Sequence, residues 1–94
     1  MATLEGQVVS VTEEGDLVTD IAVSALAATP RDEQVTIHCD GHVTSGIYPA
    51  QHDQPEMTFI AIEGTSGFLE LALVGDNASR FLGIKPGANV LLKW

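Results

Sequence analysis

The sequence predicts an all-β domain with minor α content: about seven short strands in an antiparallel barrel or sandwich, with one or two short helices. Three observations carry this. Apolar and β-branched runs recur along the chain, separated by Gly, Asp or Pro turn signals roughly every 8–12 residues. The 94 residues, read as the single domain 1–94, are enough for one core and too few for two lobes flanking a deep cleft. The chain is 45% hydrophobic with only 5% aromatic residues, so its core is drawn from Val, Ile, Leu and Ala.

The elements follow in order. Gln7–Val11 alternates as a strand, meets the turn Glu13-Glu14-Gly15-Asp16, and returns through Leu17-Val18-Thr19. Thr19 or Asp20 then caps a short helical stretch, Ile21–Ala28, which Pro30 ends by restricting the residue before it. Val35, Ile37 and Cys39 fall on one face of the next strand, with Thr36 and His38 on the other. Asp40-Gly41 is a two-residue turn signal, and His42–Tyr48 is the partner strand. Pro49–Pro55 reads as a polar loop, Met57–Ile62 as a strand, Gly64-Thr65-Ser66-Gly67 as a turn, and Phe68–Val74 as the strand that runs back. Asp76 is placed to cap a helical segment, Asn77–Leu82, that Gly83 closes in the left-handed conformation. After the turn Ile84-Lys85-Pro86-Gly87, Val90–Trp94 is the last strand.

Charge excludes several classes of function. Four basic residues against thirteen acidic ones leave a net charge of −9. Phosphate neutralisation needs clustered Lys and Arg, and Arg31, Arg80, Lys85 and Lys93 are few and scattered, so nucleic acid is not an expected partner. An anionic membrane surface is disfavoured for the same reason. The segment Met1-Ala2-Thr3-Leu4-Glu5-Gly6 has no basic flank or long apolar run, so it does not read as a signal peptide. No apolar run approaches the roughly 18 residues of a membrane span, and a cytoplasmic location is expected. Cys39 is the single cysteine, which excludes an intrachain disulfide and a cysteine-rich zinc site.

Four constellations could carry chemistry. His38, Asp40 and His42 are candidate metal ligands at alternate positions, but Asp40-Gly41 is itself the turn, so the favoured reading is a polar hairpin tip. Cys39 beside His38 suggests a thiol–imidazole pair, yet adjacent strand residues point to opposite faces, and a buried core thiol is favoured. Gly64-Thr65-Ser66-Gly67 offers backbone donors and two hydroxyls to a polar ligand, against the plain reading of a tight turn. The run Glu13, Glu14, Asp16 and Asp20 could hold a carboxylate pair for acid–base work, against a solvated turn.

Two segments together sharpen this. Val11-Thr12-Glu13-Glu14-Gly15-Asp16-Leu17-Val18-Thr19-Asp20-Ile21 resembles an Asp-x-Phe-Gly-Asn-Leu-x-Thr-Asn-Ile signature. Ser66-Gly67-Phe68-Leu69-Glu70-Leu71-Ala72-Leu73, then Asn77-Ala78 and Leu82-Gly83-Ile84-Lys85-Pro86-Gly87, resemble a Ser-Gly-Tyr-Leu-Glu-Ile-Ala-Val…Ala…Leu-Gly-Leu-x-x-Gly signature. Both belong to the C-terminal β-barrel domain of the S-adenosylmethionine hydroxide adenosyltransferases, the family that includes fluorinases and chlorinases. The resemblance spans essentially the whole chain. It implies a barrel that supplies the adenine-side wall of a site across a trimer interface, while a larger N-terminal domain supplies the chemistry.

The resemblance sets Glu14 where the family has an aromatic contact and Asp16 where an asparagine reads adenine. Thr65 falls at a ligand-facing serine with Ser66 beside it, and Gly75 lies where a main-chain group meets the adenine. Glu14 in place of an aromatic removes a stacking face worth roughly 1–3 kcal/mol per base. Asp16 in place of an amide removes a donor and keeps an acceptor. The expected function is a non-catalytic standalone module that self-associates, as a trimer on the family precedent, or docks on another protein. It needs no cofactor, and an adenosyl ligand is compatible with it. The alternatives are a nucleoside- or adenosyl-binding protein using Glu14, Asp16, Thr65, Ser66 and Gly75, or the adenine-side half of a split S-adenosylmethionine hydrolase.

Overall fold

Alternation sorts the chain into an inside and an outside. Leu17, Thr19 and Ile21 are buried while Val18 and Asp20 between them are not, and Ile37 with Cys39 and Val90 with Leu92 repeat the pattern. A strand with every second residue buried lays one face on a core. The computed structural model describes residues 2–94, and Met1 lies outside them. The strands are β1 (Thr3–Val11), β2 (Leu17–Ala22), β3 (Thr36–Cys39), β4 (His42–Ser45), β5 (Ile47–Pro49), β6 (Phe59–Glu63), β7 (Phe68–Leu73) and β8 (Asn89–Lys93). A 3-10 turn (Val23–Leu26) and one short helix, α1 (Ala78–Leu82), complete the described elements.

These strands form one sheet in the order β4-β3-β8-β1-β2-β7-β6-β5. Its two ends approach where Thr44 Oγ1 of β4 donates to the Phe59 carbonyl of β6 at 2.7 Å. The sheet is thus a nearly closed barrel. Inside lie Leu17, Leu26, Ile37, Leu71, Ile84 and Leu92, each fully buried. A second apolar cluster, Ile60, Ile62 and Ala72 with Tyr48 and Val74, sits on the outer face of β6 and β7. Both faces of β7 are therefore buried from Leu69 onward, unlike those of β2 or β3.

The structure corrects the sequence reading at four places. The stretch 42–48 is two strands, because Gly46 at φ 82° turns the chain between them. Ile47 and Tyr48 then pair in parallel with Ala61 and Ile62, which makes eight strands with one parallel pairing among the described residues. β1 starts at Thr3 instead of Gln7, held by a long-range ladder to β8 from Thr3↔Lys93 to Gln7↔Asn89. Ile21 and Ala22 continue β2, and only Val23–Leu26 winds, as a 3-10 turn without a side-chain cap. Thr19 cannot act as that cap, since its hydroxyl is buried and donates to the Leu69 carbonyl at 2.7 Å. Asp20 accepts from Gln7 N instead. Finally, α1 is capped by Asn77, whose Oδ1 accepts from Arg80 N at 2.8 Å, while Asp76 accepts from Asn77 N. Gly83 ends α1 in the left-handed region, as the sequence predicts. No helix among the described residues is long and apolar enough to cross a membrane.

Candidate functional site

Two turns build one end of the barrel. Between β1 and β2, Thr12 N donates to the Asp16 carbonyl, Gly15 N to the Thr12 carbonyl, and Asp16 N to Thr12 Oγ1. Gly15 sits at φ 90°, and a Cβ there would fall on the Asn77 side chain. Between β7 and α1, Gly75 turns at φ 76° and Asp76 N donates to the Leu73 carbonyl. The two turns interlock where Ser79 N donates to the Gly15 carbonyl at 3.0 Å.

A cleft of about 570 Å³ opens beside this junction. Its floor is apolar, from Ile62, Ala72 and Val74 of the outer cluster. Three carboxylates, Glu14, Asp16 and Asp76, reach its walls, together with Gly75 and Asn77. The segment between β5 and β6 closes a further side with Ala50 and His52. That segment is tied down where Met57 N donates to the Val74 carbonyl at 2.7 Å.

The electrostatics of the cleft centre on Asp16. Partial burial raises its pKa above the ordinary carboxylate value, and the negative charges of Glu70 and then Glu14 raise it further. Glu70 is itself buried, on the outer face of β7 opposite Val18 and Ile62. Ser66 Oγ donates to Glu70 Oε2 at 2.7 Å, and a Cβ at Gly64 would strike the same carboxylate. Ser66 thus bears on the cleft only through the charge it supports.

Of the residues that the sequence singles out, Glu14, Asp16 and Gly75 come together in the cleft. Thr65 and Ser66 lie in the β6–β7 turn at the other end of β7, roughly 20 Å of strand away. His38 and His42 separate. The pairings His38↔Val43 and Cys39↔His42 put them on opposite faces of the hairpin. Asp40 (φ 49°) and Gly41 (φ 84°) form the tight turn between them. His38 Nε2 pairs with Thr36 Oγ1, while His42 Nε2 pairs with the Leu82 carbonyl and its ring meets Phe59 edge-on. No group of three or more His, Cys, Asp or Glu among the described residues stands close enough to hold a metal ion.

The register does set His42 across from Cys39, a juxtaposition missed by sequence reading. Burial, with a smaller push from Asp40, raises the Cys39 thiol to about 11, so it stays protonated and packs as a core side chain. Two further residues, one lining the cleft and one acting on Asp16 through its charge, were also missed. Glu70 reads as an exposed strand position until the outer cluster covers it, and His52 sits in a loop without periodicity.

The model for the SAM hydroxide adenosyltransferase C-terminal domain matches residues 6–91. The chain belongs to that family. Among solved structures, the family domain resembles an uncharacterized conserved protein from Thermotoga maritima (TM-score 0.76, 22% identity, 96% of this chain and 35% of that one). It also resembles a conserved hypothetical protein from Thermus thermophilus (TM-score 0.70, 25% identity, 95% of this chain and 34% of that one). The chain therefore spans about a third of the length of these relatives. A comparison with curated proteins gives no match.

Proposed function

We propose that this chain is a non-catalytic recognition module that takes the base of an adenosyl or related nucleoside into the cleft and docks against a second protein surface that closes it. One observation carries the reading. Asp16 and Gly75, which the resemblance sets on the adenine side of the family's site, share one cleft above the apolar floor of Ile62, Ala72 and Val74. Sites for small ligands usually enclose about 70–90% of the ligand surface, and an open cleft on an outer sheet face encloses less, so a second wall is called for. Asp16 stands where an amide is expected, and a protonated carboxyl both donates and accepts as an amide does. Burial and the charges of Glu70 and Glu14 favour that protonated form.

The carboxylates of Glu14 and Asp76 oppose a phosphate group, so nucleosides bind better than nucleotides. Calorimetric titration with adenosine and with AMP tests this. Adenosine gives the tighter binding, and Asp16→Ala abolishes it; no heat from adenosine at millimolar concentration ends the ligand reading. Self-association is favoured as the docking mode by Phe81, which is 63% exposed on α1 four residues beyond the cleft-lining Asn77. With a net charge of −9, such association strengthens as salt screens the repulsion between copies. Light scattering that gives a monomer at every concentration and salt level removes self-association.

A further inference from the structure

Two side chains that line the cleft carry a nitrogen donor, Asn77 at the turn junction and His52 away from it. Glu14 and Asp76 are acceptors when ionised, burial favours the protonated form of Asp16, and Asn77, its oxygen taken by Arg80 N, keeps the two hydrogens of its amide nitrogen. A neutral ring with both donors and acceptors needs a donor from the protein as well. His52 lines the cleft from a separate element, the segment between β5 and β6. That segment is held at one end by the Tyr48↔Ile62 pairing and at the other by the bond from Met57 N to the Val74 carbonyl. Met57 takes φ 65°, an unusual backbone angle for a side chain of its kind, to make that second attachment. Both anchors, Ile62 and Val74, are residues of the cleft floor, so the segment that carries His52 is positioned by the site itself.

The ring of His52 is also oriented. Gln54 N donates to His52 Nδ1 at 3.2 Å. In a neutral imidazole one nitrogen accepts and the other carries the hydrogen, so a ring that accepts at Nδ1 carries its hydrogen on Nε2. We propose that His52 is a ligand-contacting residue of this cleft, donating from Nε2–H to a ring nitrogen of a bound amino-substituted heterocycle whose amino hydrogens go to the carboxylates. The inference rests on the reading of the cleft as a nucleoside site. It adds a side chain that would choose among rings by the acceptor they present. A bond of this kind is worth about a 5- to 10-fold difference in affinity.

The test uses the full chain, with adenosine as the probe. Long-range proton–nitrogen NMR of labelled protein reports the ring directly: His52 is in the Nε2–H form, and adenosine shifts its Nε2 signal. Calorimetry shows His52→Ala binding adenosine about 5- to 10-fold more weakly, with His52→Gln, which keeps a donor, recovering part of the loss. If His52→Ala binds adenosine as the parent does and the Nε2 signal stays still, the role of His52 is refuted while the cleft reading stands. An Nδ1–H ring also refutes it. If the parent protein takes up no adenosine, both readings fall together. Should His52→Ala unfold, the NMR titration of the parent alone decides.

Discussion

The junction of the two turns can be probed by a single methyl group. Gly15 takes φ 90°, where an L-residue costs about 1–2 kcal/mol, and its missing Cβ would lie on the Asn77 side chain. Asn77 can yield only by releasing Arg80 N, the cap of α1, which costs about 1 kcal/mol. Gly15→Ala is therefore expected to destabilise by about 2–3 kcal/mol, or roughly 10–20 °C in melting temperature for a domain of this size. Gly41 provides the control, since it takes φ 84° with nothing within 4 Å of a built Cβ. Gly41→Ala should then cost only the backbone term of about 1–2 kcal/mol. Urea denaturation followed by circular dichroism measures both. In an Asn77→Ala background the clash is gone, and the cost of Gly15→Ala should fall by about 1 kcal/mol. A Gly15→Ala variant no less stable than Gly41→Ala, or the same cost in both backgrounds, would refute the interlock.

Other outcomes follow from single groups. The Asp16 carboxyl is raised in the folded protein, so its contribution to stability is complete below the ordinary value of 3.8 and is lost as pH rises through the raised one. Asp16→Asn should therefore raise the urea midpoint at pH 7 and lose that advantage toward pH 4; an equal gain at both would contradict the burial and charge described. Thr19→Val leaves the Leu69 carbonyl and Ile21 N–H without their buried hydroxyl partner and should cost about 1–3 kcal/mol by the same denaturation assay. Cys39 titrates only near about 11, so a thiol reagent at pH 8 should label the native protein slowly and the urea-unfolded protein at once. Complete labelling of the native form within minutes would place the thiol at the surface.

What could be read from the sequence was local. Asp40-Gly41 and Gly83 announce their turns because positive φ leaves few residue types to choose from, and Ile37 and Cys39 announce a buried face by alternation. What escaped depended on distant partners. Leu4 is a strand residue because Leu92 lies beside it, and Ile21 continues β2 because Thr19 reaches across to Leu69. Gly46 breaks one run into an antiparallel and a parallel strand, a choice made by where Val35 and Arg31 offer their carbonyls. The cleft was half legible. Glu14, Asp16 and Gly75 stand in turns that a motif can mark, whereas His52 and Glu70 join them only through the cluster on the outer face of β6 and β7.

The hydrogen bonds between Ala2 and Trp94, N to O in both directions at 2.8 and 3.0 Å, have a consequence for any larger assembly. They bring the first and last described residues side by side at the start of β1, and β1 then carries the chain the length of the barrel to the Glu13–Asp16 turn. A unit fused at either residue is thus tethered at the pole opposite Asp16. To reach the cleft at Asp16 it would have to swing around the whole barrel. The same adjacency makes the chain a natural ring, ready to be spliced at Trp94–Ala2 and reopened at the uncrowded Gly41 tip.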